Sequence, residues 1–157
     1  MNSNFQIIAY DSKYKQAFYD LNAHWIEKYF AMEPIDIKVL SDPKTYIIDQ
    51  GGEVFFALEG DMILGTVALK NDGGGIYELT KLGVDPKIHR GGAGTALCKK
   101  VIEAYQAKED KTILYLESNS ILTDARRIYD RLGFIEKPLS ADTPYARADY
   151  YMEWQGY

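Results

Sequence analysis

The sequence predicts an α/β domain in which helices pack on a mixed sheet. Along the chain the hydrophobic period switches repeatedly between alternation and three-to-four spacing, and at 91–94 a glycine cluster joins a strand to a helix. No repeat, low-complexity stretch or Pro/Ser-rich linker divides the 157 residues, and 46% hydrophobic content is enough for one core, so a single domain over 1–157 is expected.

The elements follow in order. Phe5 to Tyr10 reads as a first strand, and from Ser12 to about Phe30 the residues Tyr14, Phe18, Leu21, Trp25, Ile26 and Tyr29 recur at helical spacing. A shorter helix is expected between Ile35 and Ile48. Glu53–Leu58 and Met62–Leu69 flank the turn Glu59-Gly60-Asp61 and read as a hairpin, with Lys70 to Gly75 as the next turn. Ile76 to Val84 alternates so that Glu78, Thr80, Leu82 and Val84 share one face and Tyr77, Leu79 and Lys81 the other. Beyond Gly94, Leu97, Val101 and Ala104 mark a helix, and Thr112 to Glu117 a strand. Thr123 is the expected N-cap of a last helix with Ala125, Ile128, Tyr129 and Leu132 on one face and Gly133 at its end. Short strands near Phe134 and from Tyr145 to Glu153 complete the order.

Composition narrows the function classes. A net charge of −5 argues against a nucleic-acid partner, which would demand a broad cationic surplus. The start lacks the continuous apolar run of a signal peptide and no stretch reaches membrane-spanning length, so a cytoplasmic protein without a membrane partner is expected. The single cysteine, Cys98, reads as a small apolar helix residue. Between Lys81 and Lys100 the cations Lys81, Lys87, Arg90, Lys99 and Lys100 face one acid, Asp85, and such a basic segment suits a small polyanion.

Leu82 to Leu97, LGVDPKIHRGGAGTAL, carries the chemistry. Gly91, Gly92 and Gly94 leave backbone N–H groups open at a helix N-terminus, where unpaired donors and the helix dipole favour phosphate oxygens; the competing reading is a tight turn and nothing more. Gly94 is followed by Thr95-Ala96, so the Lys-Ser/Thr of a nucleotide phosphate loop is missing, and Leu97 stands where a dinucleotide fingerprint requires a small residue.

This segment resembles the acetyl-coenzyme A loop of the GNAT N-acetyltransferases, Arg/Gln-x-x-Gly-x-Gly/Ala, with His89 at the first slot and Gly92 and Gly94 at the small-residue slots. His89 departs from the pattern, and Arg90 can supply the missing charge. A second motif of that family, Ala-x-x-x-Tyr-x-x-x-Gly-Phe, is matched by Ala125, Tyr129, Gly133 and Phe134. The resemblance covers most of the chain, looks like that of small bacterial members, and implies a seven-stranded, mostly antiparallel mixed sheet with helices on both faces and the fourth and fifth strands splayed. It further implies acetyl-coenzyme A as co-substrate, no metal, and direct transfer to a primary amine. By the same resemblance the backbone of Leu82, Gly83 and Val84 meets the coenzyme, and the cradle extends over His89, Arg90, Gly91, Gly92, Ala93, Gly94 and Thr95. Asn119 is a further coenzyme candidate or an ordinary turn asparagine, while Leu122 takes the slot of a second family asparagine.

An amine with pKa near 10.4 is almost wholly protonated at pH 7, so a base is useful. Glu78 lies where several relatives place a general base, although a strand glutamate paired with a neighbouring cation is an equal reading. Tyr129 matches the family tyrosine that faces the departing sulfur, against the alternative that it is core on its helix stripe. By the resemblance, the acceptor wall is expected from Trp25, Tyr29, Phe30, Glu33, Tyr145 and Arg147; Glu33 or Asp36 could attract a cationic amine, with a solvated surface role as the favoured reading of both. A monomer or homodimer fits. The other class of function is a catalytically silent module that binds acyl-coenzyme A, for which Glu78 and Tyr129 would have no chemical use.

Overall fold

In the computed structural model, which describes residues 5–87 and 91–156, the hydrophobic pattern resolves into seven strands and four α-helices. The strands are β1 (Gln6–Ala9), β2 (Glu53–Glu59), β3 (Met62–Gly73), β4 (Ile76–Val84), β5 (Ile113–Ser118), β6 (Phe134–Lys137) and β7 (Tyr150–Trp154). The helices are α1 (Lys15–Tyr29), α2 (Pro34–Ser41), α3 (Ala93–Gln106) and α4 (Thr123–Leu132). One sheet of order β1-β2-β3-β4-β5-β7-β6 contains them all, antiparallel throughout except between β4 and β5.

Each sheet face has its own core, as a two-sided sheet requires. On one face Phe18 and Ile26 of α1 and Val39 and Leu40 of α2 pack on Val54, Phe56 and Ala68. On the other, Leu97, Cys98, Val101 and Ile102 of α3 and Tyr129 and Leu132 of α4 pack on Phe55, Val67, Leu79, Leu114 and Leu116. Cys98 has no exposed surface, and burial pushes its thiol up to about 12, as befits a small apolar residue.

Several boundaries differ from the sequence reading for local reasons. The expected helix from Ile35 to Ile48 is two pieces, α2 and a π-helical turn at Lys44–Ile48, because Pro43 lacks an N–H and drives Asp42 out of helical geometry to φ −147°. Strand β3 continues past Leu69, with Lys70 and Asn71 still paired to Glu78 and Tyr77, so the turn shrinks to Gly73–Gly75, where all three glycines have positive φ. The N-cap of α4 is Leu122, and Thr123 is already helical. Gly133 does end that helix in the left-handed region, φ 97°. Tyr145 lies in the loop before β7, not in a strand. No helix among the described residues is long and apolar enough to cross a membrane.

What positions a site is the partial pairing of β4 with β5. Only Ile76, Tyr77 and Glu78 pair with Ile113, Leu114 and Tyr115; beyond them the strands diverge. Helix α1 presses on β4 within the diverging stretch, where a Cβ on Gly83 would lie 2.9 Å from the Leu21 carbonyl oxygen. Backbone cannot yield as a side chain can, so Gly83→Ala is expected to destabilise by about 1–3 kcal/mol. Thermal denaturation should show the melting temperature falling by several degrees, and an unchanged value would mean that α1 is free to shift.

Candidate functional site

The cleft opened by this divergence is shaped by a bulge. Thr66 pairs with Gly83 and Ala68 with Thr80, so Lys81 and Leu82 together oppose Val67. Lys81 takes φ 57°, and it is the one non-glycine residue with positive φ among those described. The expected strict alternation of β4 is therefore broken. Lys81 comes round to line the same deep cavity as Glu78 and Thr80, while Leu82 packs partly against the α3–α4 core. After the bulge Asp85 N–H donates to the Leu64 carbonyl at 2.8 Å, and the antiparallel alternation turns the N–H of Val84 away from β3, toward the open side. Gly83 answers to the helix behind it; the close backbone approach there is that of α1.

Glu78 and Tyr129 reach the deep end from different elements. Glu78 is buried at 6% exposure, and no hydrogen bond or ion pair engages its carboxylate among the described residues. Burial raises its pKa well above the carboxylate range, a rise that the charges of Lys70 and Lys81 moderate. Tyr129 projects from α4, edge-on to Phe134 at 5.9 Å between ring centroids. No described residue hydrogen-bonds its hydroxyl, and burial holds its pKa well above that of a free phenol.

Beside them lies a buried ion network that ties α2, β4 and the loop before β7 together. Arg147 donates to both Asp36 oxygens at 2.8 and 2.6 Å and to Glu33 at 3.3 Å, with its guanidinium 4.6 Å from the Tyr145 ring centroid. Lys81 Nζ donates to the Tyr145 hydroxyl at 2.7 Å and lies 3.5 Å from Asp36. Asp36 also accepts the Glu33 N–H at 2.9 Å. The expectation of a solvated Asp36 is thus overturned: it has no exposed surface. Glu33 is likewise an ion-pair partner rather than a free surface acid. Burial alone would raise the Asp36 pKa, but the hydrogen bonds from Arg147 and Glu33 and the charges of Lys81 and Arg147 outweigh it and hold the carboxyl below its usual value. In Lys81 the balance goes the other way, since burial lowers its pKa and Asp36 and Glu78 restore only part of it.

The cleft runs outward past Val84, Leu122 and Ile128 to the N-terminus of α3. There Gly92 caps the helix at φ 105°, and Gly91, Thr95 and Lys99 face Arg127 and Arg131 of α4 across a groove. A Cβ at Gly91 would meet nothing within 4 Å, which leaves the backbone open to a ligand. Gly94 serves packing instead, because a Cβ there would lie 2.9 Å from the Ile128 side chain. Ala93 is buried beneath the turn. His89 and Arg90 lie outside the described residues. Among the described residues the basic segment is divided: Lys81 is buried in the deep cavity, Lys100 pairs with Glu103 at 3.1 Å, and Lys99 lines the groove.

Of the expected acceptor wall, Trp25, Phe30, Tyr145 and Arg147 line the deep cavity, whereas Tyr29 is 41% exposed on the outer cleft and Glu33 stands behind Arg147. Asn119 lines the cavity, but its amide is engaged in the turn: Oδ1 accepts the Ile121 N–H at 2.9 Å and Nδ2 donates to the Arg147 carbonyl at 2.7 Å. Sequence reasoning passed over Lys81 and Glu117 as site residues. The bulge that admits Lys81 leaves no mark in the residue pattern, whereas Glu117, at the end of a strand already assigned, could have been found by asking what the splayed strands face.

The sequence model of the acetyltransferase (GNAT) family matches residues 14–134. No curated protein matches the chain in sequence. Among solved structures, a GNAT-family acetyltransferase from Staphylococcus aureus Mu50 is similar at TM-score 0.84 and 20% identity, over 96% of this chain and 98% of that one. A Salmonella typhimurium protein, yncA, solved with its cofactor acetyl-CoA, is similar at TM-score 0.75 and 16% identity over 98% and 94%. The PaiA N-acetyltransferase of Thermoplasma acidophilum, in complex with coenzyme A, is similar at TM-score 0.75 and 15% identity over 99% and 100%. At these identities the likenesses establish the fold.

The ion network sets a prediction of its own. Asp36→Asn takes the counter-charge from buried Lys81 and the bidentate partner from Arg147, which keeps only Glu33 at 3.3 Å, a loss of about 3–5 kcal/mol at neutral pH. Because the folded pKa of Asp36 is depressed, its contribution is present above the unfolded value near 3.9 and is lost as pH falls through the folded one. Denaturant titrations should therefore show a gap between wild type and variant that is full at pH 7 and narrows below about pH 4. A gap independent of pH would assign the loss to packing.

Proposed function

Because the chain belongs to the GNAT acetyltransferase family, we propose that it transfers the acetyl group of acetyl-coenzyme A to a primary amine by direct attack in a ternary complex, with Glu78 as base and Tyr129 as acid. The observation that carries this reading is that Glu78 of β4 and Tyr129 of α4 line one cavity and neither has a protein partner among the described residues. Two groups suited to proton transfer stand free where the strands part.

The coenzyme reading is supported by its presence in the yncA and PaiA structures and by the fit of this cleft. The open backbone at Gly91 and Gly92, the α3 N-terminus, Lys99, Arg127 and Arg131 suit a pyrophosphate and its neighbouring phosphate. The diverging backbone of Leu82 to Val84 suits the amides of the pantetheine arm. The coenzyme supplies the thioester.

The residues then divide the work. Glu78 accepts a proton from the acceptor ammonium, directly or through one water, and its raised pKa brings it toward the neutral range in which a base is most effective. The free amine forms the N–C bond as the C–S bond breaks. The N–H of Val84, turned from β3, faces the charge that develops on the thioester oxygen. Tyr129, kept protonated by burial, gives its proton to the sulfur and recovers one from the acylated nitrogen, so that one proton net leaves through Glu78.

Acetyl-coenzyme A should raise the melting temperature while ATP and NAD do not; at a hundredfold excess over Kd the gain is about 2.7 kcal/mol. Gly92→Val, which closes the backbone and strains a position at φ 105°, should abolish the shift. Absence of any shift with wild type at millimolar coenzyme would refute the reading.

Turnover separates the two proton carriers. Tyr129→Phe keeps the ring on Phe134 and should lower kcat on the order of a hundredfold with coenzyme affinity retained. In wild type, kcat/KM should fall on acidification through a pKa above the usual carboxylate range, and Glu78→Gln should erase that limb and recover only as pH approaches the amine's own pKa. An acid limb that survives in Glu78→Gln would transfer the base role to another group.

A further inference from the structure

On the acetyl-transfer reading above, we propose that the acceptor is a short diamine: Glu117 holds its second ammonium while Glu78 deprotonates the one that reacts. Glu117 lies near the end of β5, two residues beyond Tyr115, the last β5 residue paired with β4. Its neighbour two residues back, Tyr115, is the register partner of Glu78, so the alternation of the strand puts Glu117 and Glu78 on one face, and both line the deep cavity. Two residues of strand rise offset the two positions by roughly 7 Å along the strand direction. That span suits two nitrogens joined by a short alkyl chain.

The charges around the cavity select for a cation. Each cation there is already held. Arg147 is bound by Asp36 and Glu33, Lys81 by Asp36 and the Tyr145 hydroxyl, and Lys70, across from Glu78, by Asp72 at 2.9 Å. The Tyr115 hydroxyl is likewise committed to Asp72. Glu117 accepts a single hydrogen bond among the described residues, from the Thr143 hydroxyl at 2.6 Å, and Glu78 accepts none. Five carboxylates, those of Glu33, Asp36, Asp72, Glu78 and Glu117, thus stand against the three cations Lys70, Lys81 and Arg147. A dication removes this excess, whereas an amine bearing a carboxylate adds to it and finds Lys81 and Arg147 occupied. The neighbouring charge of Glu117 also adds to the proton affinity of Glu78, which disposes it to take a proton from an ammonium.

Three acceptors of equal length test this: 1,4-diaminobutane, n-butylamine and 4-aminobutanoate, with thiol release followed at fixed acetyl-coenzyme A. The expected order of kcat/KM is diamine, monoamine, amino acid, with the diamine ahead of the monoamine roughly ten- to a hundredfold, the worth of one charge-assisted hydrogen bond. Glu117→Gln, which keeps an acceptor for Thr143, should collapse the diamine-to-monoamine ratio toward one. Since that variant alters a cavity wall, diamine-dependent stabilisation of the wild-type coenzyme A complex over its stabilisation by butylamine gives a second readout. Preference for 4-aminobutanoate, or an unchanged ratio in Glu117→Gln, overturns the proposal. If coenzyme stabilises the protein but none of the three amines releases thiol, the substrate class is wrong and the acetyl-transfer reading stands. If coenzyme itself gives no shift, that reading has fallen first.

Discussion

Strands β4 and β5 share three paired positions and then separate, and the remaining features of the molecule answer to that separation. A buried strand that loses its partner exposes one N–H and one C=O per two residues along its open side, and such groups cannot stay unpaired at low cost. The divergence persists only because something else holds the two halves of the sheet apart while keeping them in one fold. Helix α1 does so from behind, with Leu21 against Gly83, and α3 and α4 do so from the other face, with Ile128 against Gly94. Two of the glycines that look like ligand signals are therefore glycines of close packing. The open backbone belongs to Gly91 and Gly92.

The ion network lines the same cavity through Lys81, Tyr145 and Arg147. Arg147 comes from the loop before β7 and Asp36 from α2, 111 residues apart in sequence, and their bidentate contact stands behind the wall of the cavity that Arg147 lines. Lys81 joins the contact because the β4 bulge turns its side chain through the sheet. A buried pair of this kind contributes little stability compared with apolar packing, yet it costs heavily when half of it is removed. Its geometric effect is more specific: it fixes where the loop carrying Tyr145 and Arg147 stands relative to Glu78.

Features governed by local residue chemistry could be read from the sequence. The strand–proline–glycine–helix order at 82–97 and the α4 stripe ending in Gly133 depend on neighbours within one or two turns, and both are found where the pattern put them. Features that depend on distant partners could not. The bulge at Lys81 is a register event between β3 and β4, and one inserted residue reverses every facing assignment beyond it, so alternation misassigned Lys81 and Leu82. Asp36 looked like a solvated acid because its partner lies far along the chain. A local clue existed, since Glu33-Pro34-Ile35-Asp36 has the spacing of a helix start at which Asp36 reaches back to the Glu33 N–H.

The same low-dielectric pocket moves its ionisable groups in opposite directions, and this links stability to chemistry. Desolvation raises Glu78 and lowers Lys81, because in each it penalises the charged form, and each partly restores the other's charge. Asp36 escapes, since the hydrogen bonds from Arg147 and the Glu33 N–H together with the charges of Lys81 and Arg147 outweigh its burial. A carboxylate left without such partners beside one that has them all marks where the fold withholds compensation. Glu78 is thereby the group in the cavity with the most to gain from a proton or a cation brought by a ligand, and the saturated Asp36 network allows the fold to tolerate it.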